Sequence, residues 1–112
     1  MLAEHPDLRV VGEAIDGVEA VQKAQELKPD LILLDISLPG LNGIEAARRI
    51  LGIVPDAKIL FVTSNVDGDV AAAALSDGAF GYVLKADGKS ELLRAINAVL
   101  QGEKVVSKRL KP

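Results

Sequence analysis

The sequence contains no cysteine and no tryptophan, and of its 112 residues only Phe61, Phe80 and Tyr82 are aromatic. Without cysteine there is neither a disulfide framework nor a thiolate metal site, and the composition fits a reducing compartment. With so few aromatics the core has to be assembled from Leu, Ile, Val and Ala, small aliphatics that suit helices packed closely on a sheet. No apolar run approaches the roughly 18 residues that a membrane span needs. The opening Met1-Leu-Ala-Glu-His5 has no signal-peptide pattern. A strong charge of one sign is missing too: the net charge is −3, and Lys and Arg are dispersed, apart from a short basic tail over 104–111. That leaves no electrostatic footprint for nucleic acid or an anionic membrane. The expectation is a cytoplasmic chain with no direct contact to nucleic acid or membrane.

What the chain does have is strict alternation of strands and helices within one domain. Strands are predicted over 9–14, 30–35, 58–63 and 81–84, and helices over about 16–28, from 42, over about 67–77 and over about 89–101. Asp16-Gly-Val-Glu19 and Asn42-Gly-Ile-Glu45 have the Asx-x-x-Glu form of a capping box, which opens a helix by giving its free amides an acceptor. Ala20, Val21, Ala24 and Leu27 share one face of the first helix. Ile44, Ala47, Ile50, Leu51 and Val54 share one face of the second, and Leu92, Leu93, Ile96, Val99 and Leu100 one face of the last. Gly102 stands where a helix C′ glycine belongs. Strands apolar on both faces and separated by amphipathic helices imply a parallel sheet covered on both sides, a doubly wound α/β layer. The domain is expected to occupy residues 1–102, with 103–112 the start of a linker.

The run Leu31-Ile-Leu-Leu-Asp35, bounded by Pro29-Asp30 and Pro39-Gly40, is a buried strand that ends on a carboxylate. In open α/β sheets, ligands and reactions sit just outside the carboxyl ends of the strands. An Asp at a strand end is by itself an ordinary turn residue. Thr63 and Lys85, however, end two further parallel strands, so the fold gathers three polar groups at one rim. A carboxylate can act as a nucleophile toward phosphorus, giving an aspartyl-phosphate. The added negative charge calls for a hydroxyl donor and an ammonium nearby, which Thr63 and Lys85 supply.

These residues carry a family resemblance. Pro29-Asp-Leu-Ile-Leu-Leu-Asp35, Leu38-Pro-Gly-Leu-Asn-Gly43, Ile59-Leu-Phe-Val-Thr-Ser64, Gly78-Ala-Phe-Gly-Tyr-Val-Leu-Lys85 and the tail after Gly102 resemble the receiver domain of two-component response regulators. The similarity is greatest to the subfamily with a helix-turn-helix output domain. The resemblance implies a flavodoxin-like fold with Asp35 as phosphoacceptor, Thr63 and Lys85 as phosphate contacts, and Thr63 with Tyr82 as switch residues. It further implies Mg2+ as cofactor with Asp35 and the Ser37 backbone carbonyl as ligands, a sensor histidine kinase as partner, and a DNA-binding output domain outside this chain.

One departure accompanies the matches. In the family, a first strand ending in an acidic pair that holds the Mg2+ ion precedes the first helix, and Met1-Leu-Ala-Glu-His5 aligns with only the last turn of that helix. The sequence therefore lacks that strand, most of that helix and the acidic pair. Glu4, Glu13 and Asp16 are nearby acids, none in the matching position. The expected Mg2+ site is weak, and autophosphorylation or autodephosphorylation is expected to be impaired. In the family's strand order the missing strand is central, beside Leu31 to Leu34. That edge is expected to be covered either by closure of the 9–14 strand or by a second copy in a homodimer.

Three alternatives stay open. Within the family, a metal-poor remnant would act by protein contacts alone. A haloacid-dehalogenase-like phosphatase would use its own aspartate nucleophile, but needs an acid two residues further on, where Ser37 stands. A flavodoxin-like cofactor binder would want a Ser/Thr/Gly-rich phosphate loop after a first strand, and none is visible.

Overall fold

The computed structural model describes residues 12–37, 40–64 and 67–107. Among these, helices and strands alternate as α1 (Gly17–Leu27), β1 (Leu31–Leu34), α2 (Gly43–Ile53), β2 (Lys58–Thr63), α3 (Gly68–Ser76), β3 (Gly81–Leu84), α4 (Gly88–Leu100) and β4 (Val105–Val106). A 3-10 turn, Lys85–Asp87, joins β3 to α4. The sheet order is β1-β2-β3-β4 with every pair parallel.

The helix starts follow from local chemistry. Asp16 Oδ1 accepts the Glu19 amide at 2.8 Å and Asn42 Oδ1 accepts the Glu45 amide at 2.9 Å, so both predicted caps form. At the far end of α4, Gly102 takes φ +89°, its amide bonds Val99 O and the Glu103 amide bonds Ala98 O, both at 2.9 Å. These paired bonds are a Schellman cap, in which a left-handed glycine ends the helix and turns the chain. Here the turn sends it back toward the sheet.

Side chains alternate across the strands, so each strand feeds two cores. Ile59, Phe61, Tyr82 and Leu84 point to one face, where Ala20 and Ala24 of α1, Ala47 and Ile50 of α2, and Ala71 and Ala74 of α3 cover them. Leu60 and Val83 point to the other, against Leu92, Ala95, Ile96 and Val99 of α4. Alanines at the contacts let the helix backbones approach the sheet, as the shortage of aromatics requires. Ile50 is fully buried, and truncating such a residue to Ala costs about 2–5 kcal/mol.

Two expectations need correction. The strand predicted over 9–14 falls partly outside the described residues, and Gly12, Glu13 and Ala14 belong to no strand. Gly12 and Glu13 are exposed, and neither brings an apolar side chain that a covered strand would bury there. The segment after Gly102, read as a departing linker, instead adds β4: the Val105 amide bonds Phe80 O and the Ser107 amide bonds Tyr82 O, each at 3.0 Å. The Schellman turn supplies the reason, because it aims the chain along the open side of β3. On the opposite side, β1 has one strand neighbour among the described residues, and Leu31, Ile32 and Leu33 are only partly buried. No helix among the described residues is long and apolar enough to cross a membrane.

Candidate functional site

The register of the sheet assembles the rim. Leu34 lies opposite Phe61, and Thr63 opposite Leu84. Asp35 and Lys85 each follow the last residue of their strand, and Thr63 is the last residue of β2 between them. Parallel strands end on the same side, so Thr63 and Lys85, 28 and 50 positions from Asp35, meet at its carboxylate.

Asp35 Oδ1 accepts the Thr63 hydroxyl at 2.9 Å and the Ser37 amide at 3.0 Å, while Oδ2 pairs with Lys85 Nζ at 2.8 Å. Thr63 is buried and Lys85 is exposed, so the carboxylate stands between the core and solvent. Burial alone pulls the Asp35 carboxyl upward. The hydrogen bonds from Lys85, Ser37 and Thr63, together with the Lys85 charge, outweigh it and hold the group below its ordinary value. The result is an ionised carboxylate held in one orientation by three donors, one of them a cation.

Behind the carboxylate, the chain from β1 to α2 folds back on itself so closely that α2 has to begin with glycine. A Cβ on Gly43 would stand 2.1 Å from the Asp35 carbonyl oxygen, and the Gly43 amide bonds Ile36 O at 2.9 Å. This close approach of Gly43 to the Asp35 and Ile36 backbone fixes where Asp35 sits.

Tyr82 lies in the core below the rim. Its ring is fully buried and packs against Phe61 with centroids 6.1 Å apart and planes tilted by 49°. Burial, then the Asp67 and Asp35 carboxylates, push its phenol above the ordinary value. Ser37 is exposed, and the group it presents to Asp35 is its amide. Both oxygens of Asp35 are engaged, Asp16 is committed to the α1 cap, and no group of three His, Asp or Glu side chains able to hold a metal ion exists among the described residues. Magnesium needs oxygen ligands in near-octahedral array. One carboxylate and one carbonyl do not make that site on their own. Glu4 lies outside the described residues.

Sequence reasoning missed two further arrangements. Arg48 of α2 reaches Asp77 at the end of α3 with contacts of 2.8 and 2.9 Å, beside an open groove of about 320 Å³ lined by Ile36, Asn42, Ile44, Glu45, Arg48 and Val70. At the other end of the rim, the Ser107 hydroxyl donates to Asp87 Oδ2 at 2.6 Å. Both pairs join residues at least 20 positions apart with no motif to connect them.

A carboxylate, a hydroxyl and an ammonium converging at the carboxyl-end rim of a covered parallel sheet define the class: an open α/β domain with a polar site at the end of its strands. The chain belongs to the response regulator receiver domain family, whose description matches residues 1–97. It is 40% identical over 110 residues to Response regulator GacA of Pseudomonas viridiflava, covering 98% of this chain and 51% of that protein. To the nitrate/nitrite response regulator protein NarL of Escherichia coli K12 it is 40% identical over 113 residues, covering 100% and 52%. The crystal structure of a LuxR-family two-component response regulator from an Aurantimonas species superposes with a TM-score of 0.91 at 38% identity, covering 96% of this chain and 76% of that one. The chain spans about half the length of the curated relatives it matches.

Proposed function

We propose that the chain accepts a phosphoryl group on Asp35 and uses its arrival to alter the surface presented to an output partner. The observation that carries this reading is the Asp35 carboxylate bonded at once by the Thr63 hydroxyl and the Lys85 ammonium. An Asp35 oxygen attacks phosphorus, the bond from phosphorus to the donor breaks, and the donor leaves with the electron pair. Because the carboxyl is already ionised, no proton has to leave it first. Lys85 follows the charge onto the phosphoryl oxygens and Thr63 donates to one of them. Thr63 and Tyr82 are the switch, coupling the rim to the core that α3 covers.

The donor is read as a sensor histidine kinase and the output as a DNA-binding domain outside this chain, on the support of the two-component relatives. The compartment is the cytoplasm. Mg2+ assists phosphorylation in receiver domains; here Asp35 and the Ser37 carbonyl would be the groups to hold it, a set that falls short of the octahedral array among the described residues. With so few, labelling from small donors is slow. Association of two copies along β1 is supported by the partly exposed Leu31, Ile32 and Leu33.

Intact mass after incubation with acetyl phosphate and Mg2+ tests the reading. One phosphoryl group is expected on the wild-type chain and none on Asp35→Asn. A gain that survives the substitution removes Asp35 from the role. No gain at all, even from a kinase, favours a remnant that works by protein contacts.

A further inference from the structure

Apart from the Tyr82 phenol, the buried polar side chains among the described residues are Thr63 and Ser107. Thr63 belongs to the rim. Ser107 follows β4, and its position calls for a separate account. Its hydroxyl donates to Asp87 Oδ2 at 2.6 Å and its amide donates to Tyr82 O at 3.0 Å. A hydroxyl bonded to a carboxylate at that length is a charge-assisted contact, stronger than a neutral pair.

Asp87 is unusual on its own terms. It occupies the N-cap of α4, where Asp is among the best capping residues, yet its side chain makes no cap hydrogen bond. The carboxylate is turned to Ser107 instead. Asp87 also closes the 3-10 turn whose first residue is Lys85, a turn fixed by the Gly88 amide bonding Lys85 O. The strand it holds is weakly attached otherwise: β4 has two residues, Val105 is partly buried and Val106 is exposed.

We propose that Asp87 and Ser107 form a latch that makes the placement of Lys85 on Asp35 and the docking of β4 on β3 a single coupled arrangement. Asp87 and Ser107 are positioning residues in this scheme, acting through the Lys85 turn. A shift of Lys85 from Asp35 to a phosphoryl oxygen moves the turn, and the turn carries Asp87 with it. The β4 segment up to Ser107 thereby senses the state of the rim along a path that uses neither the Thr63 nor the Tyr82 side chain. Coupling of this kind is reciprocal, so loosening either end loosens the other. Its signalling consequence rests on the proposed phosphoacceptor role of Asp35, whereas the coupling itself does not.

Residue-resolved amide exchange on the full chain tests it. Loss of one such charge-assisted bond is expected to speed exchange by about tenfold or more at the sites it supports. In Ser107→Ala the Gly88 amide should exchange about tenfold faster or more, and in Lys85→Met the Ser107 amide should do the same. Ser107→Thr, which keeps the hydroxyl, should restore Gly88 to the wild-type rate. The Val54 amide, which bonds Ile50 O at 2.7 Å in α2, should not change in any of them. An unchanged Gly88 amide in Ser107→Ala, or an equal rise at Gly88 and Val54, overturns the latch and leaves Ser107 a purely structural residue. If Ser107→Ala fails to fold, Asp87→Asn read at the same amides decides the matter. Phosphoryl labelling of the same samples separates the two ideas: coupled exchange without labelling removes the phosphoacceptor role and keeps the latch, and labelling with uncoupled exchange does the reverse.

Discussion

Replacing Thr63 by Val keeps the shape of a buried side chain and deletes one donor to Asp35. A hydrogen bond to a charged acceptor is worth about 1.5–3 kcal/mol net. Two features lower that figure here. Asp35 keeps the Ser37 amide and Lys85, and its side chain is 26% exposed, so water partly replaces the lost donor. The expected loss at neutral pH is therefore about 1 kcal/mol, which lowers a urea midpoint by about 0.5 M at an ordinary slope. The pH dependence identifies the cause. The Asp35 carboxyl lies below its ordinary value of 3.8 in the folded chain. A depressed carboxyl stabilises the fold above the unfolded pKa, and that contribution disappears as pH falls through the folded pKa. The gap between wild type and Thr63→Val should thus be full at pH 7 and shrink by more than half once Asp35 is protonated in both states. Urea denaturation in a pH series, with Thr63→Ser as the hydroxyl-keeping control, measures it. A gap that is constant with pH, or equally large in Thr63→Ser, would show that packing rather than the bond to Asp35 sets the cost.

Gly43→Ala places a Cβ about 2.1 Å from the Asp35 carbonyl, so backbone has to move. Thermal denaturation should show a loss of about 1–3 kcal/mol, and phosphoryl labelling should fall along with stability. Lys85→Met should slow labelling of Asp35 by about 10²-fold through loss of one charge-stabilising donor, as measured by initial rates of mass gain. Light scattering at micromolar concentration should report a dimer that dissociates when Ile32 is replaced by Lys; a strictly monomeric wild-type chain refutes association along β1.

Much of this architecture was legible before any coordinates. The strands Lys58–Thr63 and Gly81–Leu84 have the predicted bounds because each is an unbroken apolar run with a polar stop, and the stops are the site residues themselves. Asp16 and Asn42 announced their helices because capping is a contact between residues three apart. The rim followed from topology alone: parallel strands end together, so Asp35, Thr63 and Lys85 had to meet. What stayed hidden depends on partners remote in sequence. Val105-Val106 is too short to show a period, and it becomes a strand only because Gly102 turns the chain onto β3. Ser107 read as linker and Asp87 carried no reading of its own, and nothing local tells that they prefer each other. Arg48 looked like one of many exposed charges until α3 brought Asp77 to it.

The central claim is that Asp35, among sixteen acidic residues, is the one that takes the phosphoryl group. An acyl phosphate is reduced by borohydride to an alcohol, which marks the modified carboxyl permanently. Peptide mapping after labelling and borohydride treatment should place the mark on Asp35 alone and find it absent from Asp35→Asn. A mark on any other residue of the wild-type chain would contradict the account.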